Sequence, residues 1–258
     1  MDAACHTRYC AFERLNHNGF ALRAAQSRII PALLDRADCA PVSAMGRGAL
    51  YRFPLEDGNA ILREYRRGGA MQRVLRESFL TNRPLHEWDV LLRLREAGFP
   101  VPEPMGVVWS RASGMFRGAI ATREVDAIPL SEYLSTTAGD KESVLQSIGK
   151  LTRTMHDLGV YHADLHVGNL LVARGNLRDV CFIDFDNARV GDVTEIDRAR
   201  NLLRLRRSFV KRGLRYSDFE RVRQGYGAVT IPSWLESLYQ AKGQVSSAFQ
   251  GRPGDDAV

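Results

Sequence analysis

The sequence predicts an α+β chain of two lobes, an N-terminal lobe of antiparallel strands with one helix and a C-terminal, mostly helical lobe. Three observations predict this. Short apolar runs separated by turn formers recur through the first 124 residues, the pattern of successive hairpins. A single strongly amphipathic segment, Leu85 to Ala97, interrupts them. Beyond residue 125 the apolar spacing becomes helical, broken by a hairpin-like stretch near residues 170–183. The expected division is residues 1–124, residues 125–245, and a disordered tail at 246–258.

From Tyr9 to Ala24 the pattern is strand, turn, strand, with Asn18-Gly19 as the expected turn. Gln26 to Ala37 predicts a short helix, with Pro31 near its first turn or breaking it. Met45-Gly46-Arg47-Gly48-Ala49 opens the next pair of strands, residues 50–53 and 60–65, around a Glu56-Asp57-Gly58-Asn59 turn. Leu85 to Ala97 follows Pro84 and stops at Gly98; Leu85, Trp88, Leu91, Leu92 and Arg95 share one face. A hairpin follows, Val107 to Trp109 and Gly118 to Thr122, and Arg123-Glu124-Val125 leads into the second lobe. There Ser131 is read as the N-cap of a short helix, and Val144, Ile148, Leu151, Met155 and Leu158 mark a long one ending at Gly159. His156 is read as a packing or helix-end histidine. Leu202, Leu203, Leu205, Phe209 and Val210 mark a further helix inside an arginine-rich stretch, and Trp234 to Tyr239 a last short one.

The chemistry is concentrated in Tyr161 to Arg189, YHADLHVGNLLVARGNLRDVCFIDFDNAR. Two short apolar runs joined by turn formers predict a β-hairpin, which would bring Asp164, Asn169 and Asp184 to one side. Two carboxylates and a carboxamide in that order suit a Mg²⁺-bound phosphate and an attacking hydroxyl. Asp164 is then the group that orients the hydroxyl, while Asn169 and Asp184 are the metal ligands. His162 is expected to brace the loop; Asp186 is read as capping a turn, with a second metal ligand as the alternative.

The other half of such a site is sought upstream. A G-x-G before a strand is by itself usually a turn, but glycines there also let backbone N–H groups approach a phosphate. Gly46, Arg47 and Gly48 gain weight from Arg63, which ends an apolar strand about 17 residues on, where a nucleotide kinase carries its phosphate-binding Lys. Glu87 alone is a first-turn acid favoured by the helix dipole. Beside Arg63 it becomes the partner that holds that cation against the phosphates.

With these residues the chain resembles the protein-kinase-like superfamily. The segment YHADLHVGNLLV…FIDFD is similar to that of aminoglycoside phosphotransferases, RIO-type kinases and lipopolysaccharide core kinases. A second stretch, GRGALYRF and ILREYRRGGAMQRVLRESFLTNRPLHEWDVLLRLREAGFPVPEP, resembles the Kdo kinases, which act on deoxy-manno-octulosonic acid of the lipid A precursor. The Arg-Arg-Gly-Gly at 66–69, the Arg-Pro before the helix and the Val-Pro-x-Pro exit carry this narrower likeness, which spans Gly46 to Arg189. Arg63 stands where most kinases have Lys, and Asp186 where they have the glycine of D-F-G.

The resemblance implies a two-lobed protein-kinase-like fold, ATP and Mg²⁺ as cofactors, and a Kdo-lipid A acceptor phosphorylated on a sugar hydroxyl, expected at the 4-position. It also implies a peripheral protein at the cytoplasmic face of the bacterial inner membrane. A small-molecule kinase of aminoglycoside-phosphotransferase type and a non-catalytic pseudokinase are the alternatives.

Net charge is +6, with 45% hydrophobic and 26% charged residues, an ordinary globular composition that excludes a fibrous or wholly disordered chain. No stretch approaches the roughly 20 apolar residues that cross a bilayer. Cys5, Cys10, Cys39 and Cys181 form no paired framework, which fits a reducing compartment. Between Arg198 and Arg223, ten Lys or Arg stand against Asp218 and Glu220, either a solvated face or a surface for an anionic partner, which the resemblance implies is the membrane. No nucleic-acid recognition motif accompanies the charge.

Overall fold

The computed structural model describes residues 8–42, 50–65, 80–136, 140–174 and 180–239. The Gly46–Gly48 turn, the 66–69 segment and the C-terminal tail lie outside the described residues. The chain divides into two compact units: Met1–Asp126 with Asp184–Asn187, and Ala127–Ile183 with Ala188–Val258.

The first unit contains β1 (Tyr9–Arg14), β2 (His17–Leu22), α1 (Gln26–Asp35), β3 (Ala40–Pro41), β4 (Leu50–Leu55), β5 (Gly58–Glu64), α2 (Arg83–Glu96), β6 (Pro104–Ala112) and β7 (Met115–Arg123). Its strands form one antiparallel sheet in the order β1-β2-β6-β7-β5-β4-β3. Period-2 alternation gives the sheet two faces. On one, Ile29 and Leu33 of α1 lie over Gly106. On the other, Trp88 of α2 stacks with Phe20 at a centroid distance of 6.3 Å and meets Tyr9 edge-on at 4.9 Å.

The first turn falls at Leu15-Asn16, because Arg14 pairs with His17 and Glu13 with Asn18. Leu15 takes φ 53° there, and the expected Asn18-Gly19 turn lies inside β2. Packing fixes that register: a Cβ at Gly19 would lie 2.3 Å from the Phe12 ring and 2.5 Å from the Val107 carbonyl. Pro31 is accommodated inside α1, which runs on to Asp35. Helix α2 begins at Arg83 rather than Leu85, since the Asn82 side chain accepts from Leu85 N–H and caps it.

The second unit contains β8 (Ala127–Pro129), α3 (Leu130–Thr136), α4 (Lys141–Asp157), β9 (Val160–Tyr161), β10 (Leu170–Ala173), β11 (Val180–Phe182), β12 (Arg189–Val190), α5 (Glu195–Lys211) and α6 (Tyr216–Tyr226). Ser131 sits inside α3, which starts at Leu130. The hairpin is present, with Leu170 opposite Phe182 and β8 flanking β10. Helices α4 and α6 cross at backbone contact: a Cβ on Gly149 would lie 2.0 Å from the Val222 carbonyl, and one on Gly225 2.0 Å from that of Gln146.

The arginine-rich stretch is two helices, α5 and α6, parted around Gly213 at φ 67°. A capping box between Thr194 and Asp197 starts α5. Leu202, Leu203, Leu205 and Phe209 are buried, but Val210, expected on the same face, is 64% exposed. No helix among the described residues is long and apolar enough to cross a membrane.

Candidate active site

In the first unit β5 delivers Arg63 and α2 delivers Glu87, and the two form an ion pair as the sequence suggested. Glu87 is only 4% exposed, so its charge is tolerated because it is fully engaged. Arg63 and the Tyr65 hydroxyl both donate to its Oε2, and Phe185 N–H donates to Oε1 at 3.2 Å. The other arm of the Arg63 fork, Nη1, donates to Asp184 Oδ1. A planar guanidinium can hold two carboxylates in this way, which an ammonium does with less geometric definition.

Asp184 has φ 69°, a left-handed conformation unusual for a residue with a Cβ. Such a backbone persists where neighbours over-determine it. Here its carboxylate is held by Arg63, and the next peptide N–H by Glu87. Asp186 neither caps a turn alone nor stands free. It pairs with Arg83 at 2.7 Å and accepts from Asn187 Nδ2 at 2.7 Å.

Although Arg83 opposes the shift, burial, followed by the charge of Asp184, pushes the Asp186 carboxyl up to about 6. The folded value lies above the ordinary 3.8. The folded state therefore binds the proton more tightly, and this group's contribution to stability is lost as pH rises between those values. Asp186→Asn removes the dependence. The difference in thermal midpoint between the variant and the natural chain should widen in the variant's favour from pH 4 to pH 6 and level off by pH 7. A gap that is the same at pH 4 and pH 7 would contradict this assignment.

In the second unit the loop between β9 and β10 carries Asp164 and Asn169. His162 braces it: its Nδ1 accepts from Asp164 N–H at 3.2 Å, and its Nε2 donates to the Ile183 carbonyl at 3.0 Å. Asn169 Nδ2 donates to the Asp164 carbonyl at 3.0 Å, which leaves Oδ1 as its acceptor oxygen. Beneath the loop runs a buried polar chain. Tyr226 OH lies 2.9 Å from His156 Nδ1, His156 Nε2 lies 2.9 Å from Asn201 Oδ1, and Asn201 Nδ2 donates to the His162 carbonyl at 2.9 Å. Burial lowers the His156 pKa to about 4, so the imidazole is neutral at physiological pH.

The Asp164 side chain is 51% exposed, with His166 Nε2 and Arg204 Nη1 each 3.5 Å from its oxygens. The hydrogen bond from His166, with a smaller contribution from Arg204, holds its carboxyl below the ordinary carboxylate range. It is therefore ionised at neutral pH and able to accept a hydrogen bond or proton from a hydroxyl. Asn169 Oδ1 and the Asp184 carboxylate are hard oxygen donors, the type Mg²⁺ takes alongside phosphate oxygens. Each, taken by itself, is of the donor type that suits the implied metal.

Tyr65, His166, Asn201 and Arg204 were not singled out from sequence, and Arg83 only as half of the Arg-Pro that carries the family likeness. Tyr65 could have been, since it lies two residues after Arg63 on the same side of a strand. Asn201 interrupts the apolar row Leu205 and Phe209 at helical spacing, the mark of a buried polar residue with a task. Arg83 has no local signal, because its partner lies 103 positions away.

The basic helices are less naked than their sequence implies. Arg198 pairs with Asp157, Arg206 with Glu236 and Arg221 with Glu142. Arg200, Arg215 and Arg223 pair with Asp197, Asp218 and Glu220. Counting acids along the stretch alone missed those supplied by α4 and by residues 233–239.

Comparison with known proteins gives the family. The sequence profile of the lipopolysaccharide kinase (Kdo/WaaP) family matches residues 38–226. A 3-deoxy-D-manno-octulosonic acid kinase of Xylella fastidiosa (strain M12) is 33% identical over 197 residues, 72% of this chain and 78% of that protein. One of Haemophilus influenzae (strain 86-028NP) is 36% identical over 183 residues, 66% of this chain and 74% of that protein. Among solved structures, WaaP in complex with acyl carrier protein superposes with a TM-score of 0.57 at 18% identity, covering 87% of this chain and 92% of that one. A spectinomycin phosphotransferase in complex with ADP and spectinomycin gives 0.54 at 12% identity, covering 84% of each. These two likenesses show the kinase-like fold. The chain is a phosphotransferase with an alcohol group as acceptor and belongs to the lipopolysaccharide kinase (Kdo/WaaP) family.

Proposed function

We propose that this chain transfers the γ-phosphoryl group of ATP to a hydroxyl of the Kdo sugar on Kdo-lipid A, at the 4-position, in lipopolysaccharide core biosynthesis. The observation that carries the reading is Asp164. It is a half-exposed carboxylate held ionised on a braced loop, in a chain that shares a third of its residues with Kdo kinases over 72% of its length.

Asp164 orients the acceptor hydroxyl and takes its proton as the new P–O bond forms and the bond from the γ-phosphorus to the bridging oxygen breaks, with ADP leaving. Asn169 Oδ1 and Asp184 are the metal ligands. Arg63, fixed by Glu87, neutralises phosphate oxygens, and Gly46, Arg47 and Gly48 supply backbone N–H groups to them. Bound there, magnesium nucleotide supplies the phosphoryl group and screens its charge. His162, Asn201 and His156 keep the loop in place, so little reorganisation accompanies the reaction. We place the reaction at the cytoplasmic face of the inner membrane, where a peripheral protein meets a lipid-anchored acceptor. The net charge of +6 favours approach to anionic lipid.

The test is a substrate panel of purified protein, ATP and either Kdo-lipid A or a soluble aminocyclitol such as spectinomycin. Phosphate is expected on Kdo-lipid A alone. Transfer to the aminocyclitol alone would replace this reading with that of a small-molecule kinase.

A further inference from the structure

Helix α5 turns one face toward the loop that carries Asp164, and Asn201, Arg204 and Ser208 recur along that face. Asn201 Nδ2 donates to the His162 carbonyl at 2.9 Å, and Ser208 Oγ accepts from Val167 N–H at 3.1 Å. These two neutral contacts anchor the loop. Arg204, between them, is different. Its Nη1 lies 3.5 Å from Asp164 Oδ1, the outer limit of a hydrogen bond, and its buried Nε–H has no acceptor among the described residues.

An unmet guanidinium N–H carries a desolvation cost with nothing to offset it. A guanidinium takes a carboxylate through two parallel hydrogen bonds, and with Nε buried it is the Nη end of Arg204, whose side chain is 38% exposed, that a ligand reaches. Across from it, His166 Nδ1 accepts from Gly168 N–H at 3.0 Å, so its Nε2 carries the proton and faces Asp164 Oδ2. Asp164 therefore has a second donor and does not depend on Arg204 for its charge state.

We propose that Arg204 binds the carboxylate of the acceptor sugar and so selects a sugar acid over a neutral sugar. The proposal rests on the Kdo reading above and adds the residue that recognises the acid. In a 3-deoxy-octulosonic acid one methylene separates the carbon bearing the carboxylate from the carbon bearing the 4-hydroxyl. The group that orients that hydroxyl and the group that holds the carboxylate must then be neighbours, as Asp164 and Arg204 are. A cation beside Asp164 also offsets the repulsion a second carboxylate would meet there.

The experiment compares Kdo-lipid A with its Kdo methyl ester, using the natural chain, Arg204→Gln and Arg204→Lys. The natural chain should use the ester with kcat/KM reduced about 100-fold, the scale of removing one partner of a buried charged hydrogen bond. Arg204→Gln should lose a similar factor on the acid, through KM for the acceptor, with KM for ATP unchanged, and should no longer distinguish acid from ester. Arg204→Lys, which keeps the charge but not the two-pronged Nη end, should lose most of the discrimination while recovering part of the activity. Equal use of acid and ester by the natural chain overturns the proposal without needing a variant. So does an Arg204→Lys enzyme that discriminates as well as the natural one. Turnover of neither acceptor by the natural chain would instead remove the Kdo reading, and this inference with it.

Discussion

Asp164→Ala should lower kcat for phosphate transfer by about 10³-fold, within the range for loss of a positioned general base, while KM for ATP stays within a factor of about two. The side chain is half exposed and makes only long contacts with His166 and Arg204, so its removal leaves no buried partner stranded. Its backbone duties, an N–H donated to His162 and a carbonyl accepting from Asn169, survive the substitution. The thermal midpoint is therefore expected to hold while activity collapses. Steady-state kinetics with a parallel melting curve checks both. A variant that keeps more than about a tenth of the natural kcat would take the base role away from Asp164.

Arg63→Met should do the opposite to stability, costing about 3 kcal/mol, the low end for breaking a buried ion pair from one side. Glu87 is left nearly inaccessible to water with, among the described residues, Tyr65 OH and Phe185 N–H as donors. Asp184 loses the guanidinium that holds its left-handed backbone. Activity should fall with stability, because the cation proposed to neutralise phosphate goes too. Arg63→Lys separates the effects: one ammonium keeps the charge but not the two-armed contact to Glu87 and Asp184. It should recover nucleotide affinity more fully than stability. Denaturant unfolding and nucleotide titration measure the two, and an Arg63→Met chain as stable as the natural one would show that the pair is ornamental.

Much of this architecture was legible in the residues. The hairpins announce themselves by period-2 apolar runs, and the α2 stripe by helical spacing. The likeness to kinases follows from the order of Asp164, Asn169 and Asp184 behind a strand arginine and a helix glutamate. What was not legible depends on partners far along the chain. The Asn18-Gly19 dipeptide is a strong local turn signal, yet Phe12 and the Val107 carbonyl close over Gly19 and move the turn to Leu15-Asn16. The arginines of α5 and α6 look like a bare cationic surface until Glu142, Asp157 and Glu236 come up against them. Asp186 could be assigned only once Arg83 was found beside it.

Under the proposed function this chain phosphorylates the Kdo residue of a lipid A precursor through Asp164. Mass spectrometry of Kdo-lipid A after incubation with ATP and Mg²⁺ tests it most directly. One added phosphate, located by fragmentation on the Kdo ring and absent with Asp164→Ala, is the predicted result. An unmodified Kdo ring, or the same phosphorylation by Asp164→Ala, would contradict it.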